Sequence, residues 1–326
     1  MHYRKLFETT LRRTWKNKKI WWVGLFAALL GNGAELDVFI NSVSTISPPL
    51  TGPNYLPAVF QSALVPTVIE SILYALQSPS NIIVGTVVGL SAAVLAYAAF
   101  VAQGAIIDWA PHATDHSVHL GRHIKKSLRQ SGRILLIHLL HIGMMLLVVS
   151  VIAFPIIGIF KLTSGLTPVA VTTIFLLVLT PVALISSFLR KFSIAALLIE
   201  KAHTFEAFLM SVRVFIQNWL HSLEVLVLSI VATLVASIAY LFAVVVVAFP
   251  FVASGLLLKF LELPTAGSLL LYLATGFAIL AIVVFGAAWA VFLHLLWTQF
   301  YLNLKHPVIT PLRQRLKHLF SFHIKF

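Results

Sequence analysis

The chain has 326 residues, 60% of them hydrophobic and 10% charged, with a net charge of +13 and no cysteine. A soluble domain carries about 25% charged residues, so a chain this apolar cannot cover its surface with polar groups and belongs in a bilayer. The missing cysteines exclude disulfides, iron–sulfur clusters and thiol catalysis.

A basic stretch and the apolar run Ile20–Leu30 open the chain. The basic part is long for a signal peptide and no A-x-A-like site follows, so a membrane span is the expectation. A crossing helix needs about 20 apolar residues. On that measure six spans are predicted near 20–35, 81–107, 134–160, 167–190, 222–258 and 266–298. The first is short and ends at Gly31–Gly33. The fifth and sixth exceed a bilayer's need, so they tilt, kink or project into water. Segment 36–80 is Pro-rich and lacks Lys and Arg. Its amphipathic part, "YLPAVFQSALVPTVIESILYAL", is expected on the outer leaflet or capping the bundle. A seventh span there would reverse the charge distribution and would hold Pro66 in its middle. In the second span, Gly85 and Gly89 form a small-residue motif that predicts close helix packing.

The cations decide the orientation. If the spans alternate, 21 of 23 Lys and Arg lie on one side, with Lys161 and Lys259 the exceptions. The positive-inside rule makes that side the cytoplasm and places both termini there, in the cell (inner) membrane. The basic charge is therefore topological, and it can also touch anionic headgroups. It is dispersed over loops without a nucleic-acid module, so no nucleic acid is expected as partner.

The odd spans share a prelude. Leu11-x-x-Thr14-x-Lys16, Ile124-x-x-Ser127-x-Arg129 and Phe208-x-x-Ser211-x-Arg213 each read apolar, hydroxyl, cation. Ala-Phe-Pro recurs near the ends of the third and fifth spans, at Ala153–Pro155 and Ala248–Pro250, each followed by a lysine. The second and fourth spans run on to an acid, Asp108 and Glu200. These matches predict an all-α bundle in three repeated units, about 1–108, 109–200 and 201–304, with a cytoplasmic tail 305–326. Each unit would hold an interfacial amphipathic helix, an outward span and a returning span. In the third, Phe205, Phe208, Leu209, Val212 and Phe215 share one helical face, Thr204 is the expected N-cap and Glu206 lies in the first turn. The competing reading is that each prelude simply extends the span that follows it.

The segment 190–219, "RKFSIAALLIEKAHTFEAFLMSVRVFIQNW", carries a family signal. An arginine near a span end, a small and apolar run, an acid, a short linker, then Glu-Ala, a hydroxyl and a Trp follow in order. The stretch resembles bacterial six-helix membrane families that include the membrane domain of some glycerophosphodiester phosphodiesterases and the YciC-like proteins. "FYLNLKH" at Phe300–His306 is similar to their aromatic-rich ending, with Asn303 where an acid is common. The resemblance implies a fold and a membrane location. It implies no catalytic residues, because the phosphodiesterase activity resides in a separate soluble domain.

His112, His116, His119 and His123 are spaced four, three and four apart, which would line them on one helical face. By the repeat, however, the second unit's helix should start near Ser117, after a connection opened by Pro111, and Gly121 interrupts the stripe. A metal site needs three or four converging ligands with supporting partners. The four histidines are read as a polar, pH-responsive cytoplasmic loop, with metal binding as the lesser alternative.

Motifs for zinc proteases, serine hydrolases, phosphate loops and dinucleotide binding are all missing. No enzymatic activity and no cofactor are expected. Glu224 lies just inside the fifth span. Arg190 precedes Glu200 by ten residues and His294 precedes Lys305 by eleven, so both sit about 15 Å above comparable helix ends. With His138 and His141 near the start of the third span, they predict a polar layer in which Glu224 pairs with Arg190 or His294. The functional expectation is a scaffold, lipid-interacting or accessory membrane factor, with membrane lipids as partners and protein partners or a homo-oligomer left open. The alternative is a transporter or channel for an unidentified solute; the nearly pure aliphatic mid-span sequences argue against it.

Overall fold

The computed structural model describes residues 3–29, 79–112, 120–162 and 168–305, and every regular element among them is helical. The helices are α1 (Tyr3–Lys16), α2 (Trp21–Ala28), α3 (Pro79–Trp109), α4 (Leu120–Leu162), α5 (Pro168–Ile199), α6 (Thr204–Gln217), α7 (Trp219–Phe260) and α8 (Pro264–Lys305). Five stretches among the described residues are long and apolar enough to cross a membrane: Ile83–His112, Leu120–Ile152, Pro181–Ile199, Trp219–Phe260 and Pro264–Lys305. Of the first expected span, only its beginning in α2 is described. The segment 36–78 and the tail beyond Lys305 lie outside the described residues.

α5 runs through Arg190 to Ile199, next to the acid Glu200 that the sequence places at its end. The run Ser193–Leu198 has no helix breaker, and the chain leaves the helix only through Lys201, whose φ of 58° is left-handed. α8 continues past the predicted span to Lys305, the helix end from which His294 is counted. α7 and α8 have 42 residues each. At 1.5 Å per residue each is about 63 Å long, roughly twice a hydrocarbon core. They are joined by a tight turn in which Glu262 takes a φ of 61°. Both Ala-Phe-Pro motifs lie inside helices, since α4 and α7 continue past Pro155 and Pro250.

The preludes behave in two ways. α1 is separated from α2 by Asn17 and a 3-10 turn, and α6 is separated from α7 by Asn218. In both, the asparagine amide donates to the carbonyl four residues back, at Arg13 and Val214. Such a side chain competes with the backbone ladder and ends the helix. The second prelude has no such residue and is continuous with its span in α4. The N-cap of α6 is His203, one residue before the expected Thr204, and its backbone N–H donates to Glu206 at 3.3 Å in a capping box.

The three prelude hydroxyls, Thr14, Ser127 and Ser211, are all buried. Ser127 donates to the Val101 carbonyl of α3 at 2.7 Å, and Ser193 of α5 donates to Ser211 at 2.8 Å. Val101 and Ser193 each stand seven residues before the acid that follows their helix, Asp108 and Glu200. α1 and α2 pack instead on α8. A Cβ on Gly24 would lie 2.3 Å from the Ala287 carbonyl, and one on Gly104 would lie 2.3 Å from the Ser127 hydroxyl, so only glycine allows these approaches. Gly85 and Gly89, expected to mediate packing, have open space around them among the described residues. They lie on a stretch of α3 whose side chains are all exposed.

Helices α3, α5 and α8 touch one another in every pairwise combination. Their meeting halves make the core: residues 101–110 of α3, Phe192–Leu198 of α5 and Ala290–Tyr301 of α8 carry most of the buried side chains. Phe188, Phe192, Trp297, Phe300 and Tyr301 interlock there, with ring centroids 5.0–6.3 Å apart. This packed half is also where the cations gather, and it is called the basic end below. Toward the other end the same helices expose Val, Leu, Ile and Phe side chains.

Candidate functional site at the basic end

Two acids tie the basic end together. Asp108, buried at the end of α3, accepts from His123 at 2.7 Å and from Lys126, both on α4. Glu200, just past α5, accepts from Tyr301 at 2.5 Å and pairs with Lys305, both on α8. Each acid thus joins its own helix to a neighbour across the core. The histidine stripe divides accordingly. His123 belongs to the Asp108 ion pair, and the His112 ring lies 5.8 Å from it. His116 and His119 lie outside the described residues, and among the described residues no three metal-ligating side chains converge.

The polar-layer residues are all present near this end, but they separate into three groups. Glu224 accepts a hydrogen bond from Tyr3 of α1, so its bond among the described residues comes from neither Arg190 nor His294. The sequence reading missed Tyr3, because α1 reaches α7 only through the tertiary fold. His294 forms a second group. Its Nδ1 donates to the Ala290 carbonyl at 2.9 Å, and it lines a small cavity of about 20 Å³ with Lys191 and Trp297. The Lys191 ammonium stands 4.6 Å from the Trp297 ring centre, a cation–π contact.

The third group is the largest. His138, His141 and Arg190 line one cavity of about 260 Å³ between α4 and α5, together with Ser186 and Ser187. His138 and His141 each donate Nδ1–H to a backbone carbonyl one turn back, Ile134 at 3.0 Å and Ile137 at 2.8 Å. That bond selects the tautomer, leaving Nε2 of the neutral ring as an acceptor. The rings are held by aromatic contacts, His138 on Phe100 at 4.6 Å and His141 edge-on to Phe208 at 5.5 Å. His141 is only 3% exposed, and its Nε2 has no hydrogen-bond partner among the described residues. A buried polar atom left without a partner costs about 1–3 kcal/mol. The serines were also missed by sequence reasoning. The available signal was a Ser-Ser pair one helical turn before Arg190 in an otherwise apolar span.

Residues 10–303 match the family of unknown function DUF7544. The chain belongs to that family. The match takes in nearly the whole described bundle, with Glu224, His294, His138, His141 and Arg190 inside it and Tyr3 outside. No curated protein and no solved structure matches the chain.

Proposed function

We propose that this chain is a six-span protein of the cell (inner) membrane, with both termini in the cytoplasm, that acts without catalysing a reaction as a lipid-interacting scaffold or accessory factor. One observation carries the reading: the same long helices are packed together at the basic end and expose large apolar side chains over the rest of their length. Such surface is tolerable only in lipid. Three tryptophans at the basic end, Trp15, Trp22 and Trp219, are 62%, 75% and 56% exposed, as expected for anchors at the headgroup level. α1 and α6 would lie at that level, with Ala207 and Ser211 of α6 turned to the protein and Phe205, Leu209 and Ile216 turned outward.

The contact pattern supports three repeated units. The returning helices would be α3, α5 and α8, which meet at the centre, and each also packs on the prelude or span of the following unit, the third closing on the first. The equivalent seats of Ser127 and Ser211 support the same register. The build also supports kinship with the phosphodiesterase membrane domain and the YciC-like families, a relation of fold and location only.

The chain has no native cysteine, so single cysteines report topology cleanly. Glu262→Cys, exposed in the α7–α8 turn, should label with an impermeant maleimide on intact cells. Lys125→Cys, exposed on α4, should label only after permeabilisation. The opposite pattern would reverse the orientation. Protein-dependent, solute-specific uptake into proteoliposomes would replace this reading with transport.

A further inference from the structure

The cavity between α4 and α5 changes character along its length. Its polar residues, His138, His141, Ser186, Ser187 and Arg190, gather toward the basic end. From there α4 runs outward through Ile142, Met145 and Leu146, while α5, running the other way, contributes Leu184 and Ala183 at matching depth. One end of the slot is cationic and rich in hydrogen-bonding groups, and the other is a hydrocarbon wall. Ile142 and Leu146 are themselves 54% and 62% exposed, so the slot opens sideways along the helices rather than into a closed core.

We propose that this slot binds one acidic phospholipid, with the phosphate at Arg190 and the acyl chains along Met145, Leu146 and Leu184. The proposal rests on the membrane reading above and assigns it a site. A guanidinium matches a phosphate through paired N–H donors, and basic pockets between helices at the cytoplasmic side suit acidic headgroups. The serine hydroxyls add donors to the phosphate oxygens. No carboxylate lines the slot among the described residues, so the cation of a choline or ethanolamine headgroup finds no counter-charge there. A free phosphate would use only the polar half and leave the apolar wall unfilled. The volume of about 260 Å³ takes a headgroup and the first carbons of its tails, the remainder lying in the bilayer through the open side.

The test uses the full chain purified in mild detergent, with phosphatidylglycerol, phosphatidylcholine and inorganic phosphate as probes. Bound lipid is counted by native mass spectrometry and its effect is read as a shift in Tm. Phosphatidylglycerol should be retained about tenfold more strongly than phosphatidylcholine, and inorganic phosphate should give no comparable shift. Arg190→Gln should lower that retention about tenfold, and Ala183→Trp, which fills the apolar half, should abolish it. Lys191→Gln removes the neighbouring charge on the Trp297 side and should leave retention unchanged. Equal retention of the two lipids, equal losses in the Arg190 and Lys191 variants, or stabilisation by phosphate alone would each overturn the proposal. If the variants do not fold, a photoactivatable phosphatidylglycerol on the native chain decides: crosslinks at Met145, Leu146 or Leu184 support the slot, and crosslinks only elsewhere reject it. Co-fractionation with membranes keeps the two ideas apart. A membrane-bound chain without this lipid loses only the slot, whereas a chain absent from membranes loses the proposed function first.

Discussion

The two halves of α3 are built from similar apolar residues and behave in opposite ways. From residue 101 to 110 every side chain is buried, while from 83 to 96 every side chain is exposed. Hydrophobicity does not distinguish them. What does is the presence of shape and polarity that only a protein neighbour can use. The packed half has Gly104 under Ser127 and an acid that pairs across to α4. The exposed half has two glycines with nothing against them among the described residues. Since lipid is as apolar as leucine, apolar residues alone do not bring helices together, and close approach and polar pairing do. The basic end is therefore specified by contacts, and the other end by its solvent.

The sharpest way to break this comparison is on α3 itself. Gly104→Val would drive its side chain into Ser127 and Ile134 and should destabilise the protein by about 3 kcal/mol, whereas Gly89→Val should change stability by less than about 0.5 kcal/mol. Thermal unfolding of both variants in one detergent measures this. Equal losses would mean that the exposed half packs as tightly as the basic one.

A smaller contrast is expected between acids. Asp108→Asn removes the negative member of a buried pair and should lower stability by about 2 kcal/mol, less than for a fully buried pair because Lys126 is partly exposed. Glu262→Gln, exposed in the turn at the far end, should have no measurable effect. A double-mutant cycle with Lys126→Gln isolates the pair, and a coupling near zero would show that Asp108 is held by its surroundings rather than by the ion pair.

The smallest effect concerns Tyr3. Tyr3→Phe deletes the donor to Glu224 between α1 and α7 and should lower the unfolding free energy by about 1 kcal/mol. Thr275→Val, whose hydroxyl bonds only its own helix on the exposed side, should be near neutral. If Glu224→Leu proves as stable as the native chain, α1 is anchored by its packing, through residues such as Leu6, Phe7 and Thr10, rather than by this hydrogen bond.

Much of this architecture was legible before any coordinates. Long apolar runs must form helices, because only a helix satisfies its own backbone in lipid. The spacing singled out Thr14, Ser127 and Ser211, and all three are buried. Helix ends were partly legible: the acid after the fourth span marked the end of α5, while the N-cap of α6 fell one residue before the expected Thr204. α5 runs through Arg190 because the residues after it are good helix formers with a core to enter. Gly85 and Gly89 misled for the converse reason: a small-residue motif permits close packing but cannot supply the partner.

The sequence alone determined that the chain is helical, that it suits a membrane, and which residues are polar near the helix ends. Those properties follow from composition and period, which are local. The tertiary fold decided the pairings. Glu224 met Tyr3, His294 shared a small cavity with Lys191 and Trp297, and His138, His141 and Arg190 closed around a slot with two serines. Depth along a helix can be counted from sequence at about 1.5 Å per residue. Which helices stand side by side, and which faces they turn to each other, depends on close approaches such as Gly24 on Ala287, hundreds of residues apart, and no local pattern contains them.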